Sequence, residues 1–141
     1  MLSLIIASAI VTVTIPQPEK IDCERMLDAI AVAENWDKKS EGKAGEWGEF
    51  QMTPTVWRKT RIGKRKTMQQ ATPEERRAGA REDLLVRIAT LQVNHFTISP
   101  FIVALAWNAG LTATIGHNTS KIKQAYAERC ATIYDNETKN P

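Results

Sequence analysis

Glu34 closes an apolar stretch of the chain. With Ile21 to Trp36 read as a helix, Leu27, Ile30 and Glu34 follow one another at spacings of three and four and share one stripe. A carboxyl group on a core-facing stripe loses solvation for its ionised form. Its pKa rises, and it can hold a proton near neutral pH and deliver it to a leaving group. The competing reading is a helix end that turns back to water, since glutamates are mostly exposed. The sequence that follows favours a cleft. Gly42, Gly45 and Gly48 recur every third position, giving a loop whose backbone can approach itself or a ligand closely. Thr53-Pro54 then supplies a capping hydroxyl and a first-turn proline for a fresh helix.

Three ordered blocks carry a resemblance to a known family. They are Ile30-Ala31-Val32-Ala33-Glu34, then Gly48-Glu49-Phe50-Gln51-Met52-Thr53-Pro54-Thr55-Val56-Trp57, then Ala104-Leu105-Ala106-Trp107-Asn108-Ala109-Gly110. With a weaker fourth block from Tyr126 to Tyr134, the chain resembles the lysozyme-like superfamily. It is most similar to the soluble-type lytic transglycosylase domain, with similarity also to goose-type and invertebrate-type lysozymes. Asn35 stands where the family often has serine, Trp107 where it usually has tyrosine, and Glu49 where transglycosylases commonly have an apolar residue.

The resemblance implies a mainly α, lysozyme-like fold, a small helical domain with a glycine-rich loop lining the active-site cleft. The implied activity is a peptidoglycan glycosidase acting on the β-1,4 bond between N-acetylmuramic acid and N-acetylglucosamine. Glu34 is the implied catalytic acid. A lytic transglycosylase manages with this one glutamate, assisted by the substrate's N-acetyl group, and closes a 1,6-anhydro product. A hydrolytic lysozyme adds a second carboxylate, for which Glu46 and Glu49 lie in the right loop; Asp37 and Glu41 are nearer in sequence. Each of these is also readable as a surface loop charge. Gln51, Asn108 and Tyr126 have hydrogen-bonding groups suited to an acetamido sugar, and Trp47, within the glycine loop, is the candidate for stacking on a sugar ring. An inactive lysozyme-like sugar-binding protein is the first alternative, and a helical nucleic-acid-binding module is the second.

Helices must position these groups. Thr72-Pro73-Glu74-Glu75 matches a capping box, and the helix it starts runs through Leu84, Ile88 and Leu91 toward Phe96, with His95 completing the buried stripe. Ser99-Pro100 caps a helix from Phe101 to Asn108 that is apolar almost all round and therefore central, and Gly110 ends it in a left-handed conformation. Ser120 to Ile133 reads as a closing amphipathic helix bearing Ile122, Tyr126, Arg129, Cys130 and Ile133.

Composition agrees with one such domain. The chain has 141 residues, 43% hydrophobic and 25% charged, with a formal net charge of +3. That excess suits approach to anionic material, whether cell wall, nucleic acid or acidic membrane. Residues 1–18 read as an export signal or N-terminal anchor, and 19–141 as the lysozyme-like catalytic domain. Leu2 to Ile15 carries no charge and is short for a bilayer span yet suited to the apolar region of a secretory signal. No Lys or Arg precedes it, so the expectation is a start further upstream or a segment retained as an anchor; a strand from Ile10 to Ile15 is the competing reading. The expected location is exported, periplasmic or extracellular.

Cys23 and Cys130 would then form a disulfide tying the first helix to the last, with two buried free thiols as the alternative. No paired spacing of His or Cys points to a metal, no cofactor is expected, and the expected state is a monomer acting on glycan strands. A basic run, Arg58, Lys59, Arg61, Lys64, Arg65 and Lys66, reads as a solvated flexible linker more readily than as a nucleic-acid patch, because no aromatic residue interleaves it after Trp57. The loop from Gly42 to Gly48 is also longer than the turn of a helix-turn-helix reader.

Overall fold

The computed structural model describes residues 20–34 and 42–137, and these are mainly helical. Six helices follow in order: α1 Cys23–Glu34, α2 Pro54–Trp57, α3 Pro73–Val93, α4 Pro100–Ala109, α5 Leu111–Ile115 and α6 Lys121–Glu137. Among the described residues the only extended pairing is a single antiparallel bridge between Trp47 and Met52. One hydrophobic core runs from Ile21 to Tyr134 and draws on every long helix.

The helix starts follow from local chemistry. Asp22 caps α1, its carboxylate accepting from the backbone N–H groups of Glu24 at 3.0 Å and Arg25 at 3.1 Å. Thr72 and Glu75 make the reciprocal capping box ahead of α3, at 3.2 and 2.9 Å. Ser99 accepts from Ile102 N at 3.3 Å and starts α4. Four consecutive residues of α4, Val103 to Ala106, are buried. That leaves no solvent face along this stretch and makes α4 the central helix, with α3, α5 and α6 packed around it.

α6 lies across α1 as well as α4. Its buried line is Tyr126, Ala127, Cys130 and Tyr134, facing Met26, Ala29, Ile30 and Ala33 of α1. Three contacts fix an antiparallel register. Tyr134 hydroxyl accepts from Asp22 N at 3.0 Å, Cys130 Sγ donates to Ala29 O at 3.7 Å, and Arg129 Nη2 donates to Ala33 O at 3.0 Å. The Tyr134 end of α6 therefore meets the start of α1, and the Tyr126 end meets Glu34.

That register corrects the expected disulfide. Both cysteines are free thiols. Cys130 sits opposite Ala29, which is six residues, or about 9 Å, along α1 from Cys23. Bridged cysteines need Cα atoms within about 7 Å. Burial pushes the Cys130 thiol up to about 11, with the nearby Glu34 charge pushing the same way and the Tyr126 hydrogen bond opposing it.

Other elements differ from the sequence reading in instructive ways. α3 ends at Val93, so His95 falls beyond it, exposed and with a positive φ of 62°, and is no part of the buried stripe. Ile122 is 81% exposed on the outer face of α6. Gly110 does adopt a positive φ, but its ψ of 156° is extended, so it turns the chain directly into α5.

The basic run is an ordered knot and not a flexible linker. Trp57 Nε1 donates to Lys66 O at 2.7 Å, Thr60 Oγ1 donates to Trp57 O at 2.8 Å, and Gly63 N donates to Thr60 Oγ1 at 3.0 Å. A side chain at Gly63 would overlap the Trp57 carbonyl, so only glycine permits this closure. Residues 1–18, including the export and strand readings, lie outside the described residues, as do Trp36, Asp37 and Glu41. No described helix is long and apolar enough to cross a membrane.

Candidate active site

Glu34 is the last residue of α1, one turn beyond the fully buried Ile30. Its Oε1 accepts a hydrogen bond from the Tyr126 hydroxyl at 2.7 Å. The carboxyl pKa is raised above its ordinary value, foremost by burial. The Tyr126 hydrogen bond and the Arg129 and Lys123 charges pull it back, while the Glu46 charge pushes it up. The negative end of the α1 dipole, on which Glu34 sits, disfavours ionisation as well. In the neutral acid Oε1 is the carbonyl-type oxygen that accepts from Tyr126, so the proton would reside on Oε2.

The groups around Glu34 come from one face of α6. Lys123, Tyr126, Arg129 and Cys130 are spaced by three and four, which sets them side by side on a helix. Arg129 closes the α1 terminus through Ala33 O and lies 5.6 Å over the Tyr126 ring. Lys123 Nζ donates to Asn108 O at 3.1 Å and so joins the end of α4 to the same face. Tyr126 is only 8% exposed and its hydroxyl is committed to Glu34. This bears against its expected role: buried and already donating to Glu34, the hydroxyl is not presented to a ligand.

The glycine loop is built from its own hydrogen bonds. Gly42 N donates to Glu46 O at 2.8 Å, and Gly45 N to Gly42 O at 2.9 Å. Gly45 and Gly48 adopt φ values of 76° and 81°. Gln51 adopts a φ of 46°, a left-handed conformation that non-glycine residues seldom take and that clusters where ligands are handled. Its amide nitrogen donates to Gly48 O at 2.9 Å, which leaves the amide oxygen without a hydrogen bond to that loop.

Gln51 lines a narrow cleft of about 60 Å³ with Thr53, Val56, Asp83, Arg87 and Trp107. Trp107 Nε1 donates to Phe50 O at 3.2 Å, fastening α4 to the loop beside Gln51. The next residue, Asn108, is half-buried, and its side-chain amide has no hydrogen-bond partner among the described residues. The loop, the end of α4 and the face of α6 are thus linked by a relay of contacts that begins at Glu34, although Glu34 itself does not line the Gln51 cleft. Glu34 reaches α6 through Tyr126, α6 reaches Asn108 through Lys123, and Trp107 reaches the Gln51 loop.

The contacts bear on two further expectations. Glu49 forms an ion pair with Arg76 at 2.8 Å, both side chains largely buried, so its carboxylate is engaged in a structural contact, which bears against a role as a second catalytic carboxylate. Trp47 is packed against the core with the Arg76 guanidinium 5.2 Å over its ring, so that ring face is closed to a sugar. Glu46 remains as the loop carboxylate whose charge bears on Glu34; its Oε2 accepts from Ala44 N at 2.9 Å.

Asp83, Arg87 and Trp107 were not singled out as site residues from sequence. Arg87 pairs with Asp83 at 2.6 Å, donates to Ala106 O at 2.6 Å and lies 5.3 Å over the Trp107 ring. The signal was present as an opposite-charge pair four apart on a helix, a pattern equally common on solvated faces. A larger hollow of about 650 Å³ lies at the other end of α1, lined by Ile21, Cys23, Ile88 and Phe96 among others. No carboxylate lines it, so it offers no acid for glycoside cleavage.

No set of three or more His, Cys, Asp or Glu among the described residues is arranged to hold a metal ion. Comparison with protein-family models, with curated proteins and with solved structures finds no match.

Proposed function

We propose that this chain is a peptidoglycan glycosidase with a lysozyme-like fold, acting on the β-1,4 bond between N-acetylmuramic acid and N-acetylglucosamine as a lytic transglycosylase. The observation that carries the reading is the Glu34 carboxyl, held by Tyr126 at 2.7 Å and shifted toward its neutral form by burial. The resemblance of the three sequence blocks supports it, as does the relay of contacts from Glu34 through Tyr126 and Lys123 of α6 to the Asn108 end of α4.

In this mechanism Glu34 Oε2 protonates the glycosidic oxygen as the bond to the anomeric carbon breaks. Positive charge develops at that carbon and is met by the carbonyl oxygen of the neighbouring N-acetyl group. Glu34, now a carboxylate, takes the proton from the C6 hydroxyl as that oxygen attacks the anomeric carbon. The product is a 1,6-anhydro sugar and Glu34 is protonated again, so one residue serves as acid and then base. Gln51 and Asn108 hold acetamido groups. Tyr126 keeps Oε1 fixed throughout, and its hydroxyl stabilises the carboxylate between the two half-reactions.

One observation favours a second reading. Glu46 is near enough for its charge to act on Glu34, and a second carboxylate able to direct water would give a hydrolytic lysozyme. Analysis of products from purified sacculi separates the readings: anhydro ends mark transglycosylation, reducing ends mark hydrolysis, and absence of release marks a sugar-binding protein without activity. The N-terminal segment fits delivery to an exported location, which N-terminal sequencing of secreted protein tests.

A further inference from the structure

Between residues 58 and 66 the chain carries six cations, and two of them are matched by carboxylates, Arg61 by Glu82 and Lys66 by Glu75. Arg58, Lys59, Lys64 and Arg65 are exposed and form no close ion pair among the described residues, although the Arg65 charge bears on Glu75. The knot that displays them is held by the Trp57, Thr60 and Gly63 hydrogen bonds and cannot relax without losing them. The ordered backbone therefore keeps these exposed cations close to one another, at a cost in mutual repulsion.

Arg58 and Arg65 border a concave pocket of about 420 Å³ together with Lys66, Gln69 and Gln70. Trp57 and Met68, both nearly fully buried, form its floor. Gly45 of the glycine loop forms one edge, directly before Glu46, and Pro54 of α2 another. The pocket is thus contiguous with the loop that carries Gln51.

We propose that this pocket binds the carboxylates of the acidic stem peptide attached to the muramic acid of the glycan strand, so that peptide-bearing strands are the preferred substrate. The inference rests on the glycosidase reading for its biological substrate, though the pocket itself does not. Guanidinium groups pair bidentately with carboxylates, glutamine amides suit a peptide backbone, and the volume suits a few residues. A single-stranded nucleic acid fits less well. Trp57 is the one aromatic residue in the segment and is 2% exposed, so no ring is offered for base stacking.

The test has two arms, each run with wild type, Arg58→Gln/Arg65→Gln and Arg58→Lys/Arg65→Lys. In the first, calorimetry follows binding of the free acidic peptide released from the wall by an amidase, alongside a single-stranded oligonucleotide. The expected result is peptide binding that weakens on the order of five- to tenfold in the glutamine variant and is only partly restored by lysine, which keeps the charge but not the bidentate fork. Absence of peptide binding, binding indifferent to the substitutions, or tighter binding of the oligonucleotide overturns the proposal.

In the second arm, cleavage rates are compared on peptide-bearing and amidase-stripped strands. Wild type should favour the former, with the glutamine variant losing that preference and keeping its rate on stripped strands. Equal wild-type rates on both overturn it. If wild type cleaves neither, the glycosidase reading fails and the binding arm alone decides the pocket.

Discussion

The Tyr126 hydroxyl donates to Glu34 Oε1 at 2.7 Å although the two residues are 92 positions apart in the chain. The contact joins the last residue of α1 to the first buried turn of α6, and it leaves the second carboxyl oxygen to carry the proton. A hydroxyl in this position lowers the carboxyl pKa, and burial raises it more. The site therefore combines a carboxyl group whose burial favours the neutral form with a hydroxyl able to stabilise the anion.

The first prediction concerns pH. Because Glu34 is protonated more tightly in the folded chain, activity should be highest on the acid side of neutrality and decline as pH rises through the elevated pKa. Stability has a matching sign. The folded chain binds the Glu34 proton more strongly than the unfolded chain, so this group's stabilising contribution is complete below its ordinary pKa of 4.5 and is lost as pH rises through the raised folded value. Thermal melts of Glu34→Gln and wild type from pH 4 upward should show the variant gaining relative to wild type over that window. A constant difference would place the Glu34 pKa at its ordinary value.

Replacing Tyr126 with Phe removes the hydroxyl and keeps the ring in the core. The remaining influence of burial should then raise the Glu34 pKa further, moving the descending limb of the pH profile upward. The rate at the optimum should fall about tenfold, in line with loss of one hydrogen bond to a charged group. A profile that drops in height without shifting would mean that Tyr126 acts through packing alone.

Gly79 lies under the Trp57 indole, and a Cβ there would overlap the ring. Gly79→Ala should destabilise the chain by about 1–3 kcal/mol through overpacking. Denaturant unfolding measures it. A neutral or stabilising effect would contradict the close seating of Trp57 against α3.

Neither thiol is bridged, so mass analysis with and without reductant should agree, and both cysteines should react with a thiol reagent after unfolding. In the native state Cys23, half-buried, should react ahead of the fully buried Cys130. A mass increase on reduction would show that the two sulfurs pair.

Much of this arrangement was legible from local pattern. The Thr72 capping box, the Ser99 cap and the core-facing stripe that ends in Glu34 all depend on spacings of three and four, which a helix translates directly into position. The pairing of Cys130 with Ala29, and not with Cys23, depends on the register of α6 against α1, which no local pattern encodes. Trp47 and Glu49 were misread for a related reason. Both are occupied by Arg76, more than twenty residues away, and an occupied ring or carboxylate looks the same in sequence as a free one. Tyr126 was identified as a site residue but assigned to substrate, because its partner Glu34 lies on the far side of the same helix contact. The ordered knot after Trp57 was hidden by its charge, which resembles that of a linker until the indole and Thr60 hydrogen bonds are seen.

The most direct test of the central claim is product analysis of purified sacculi treated with wild type and with Glu34→Gln. The account predicts soluble fragments with 1,6-anhydro ends from wild type and none from a variant that melts as a folded protein. Release of the same fragments by Glu34→Gln, or no release by wild type, would contradict it.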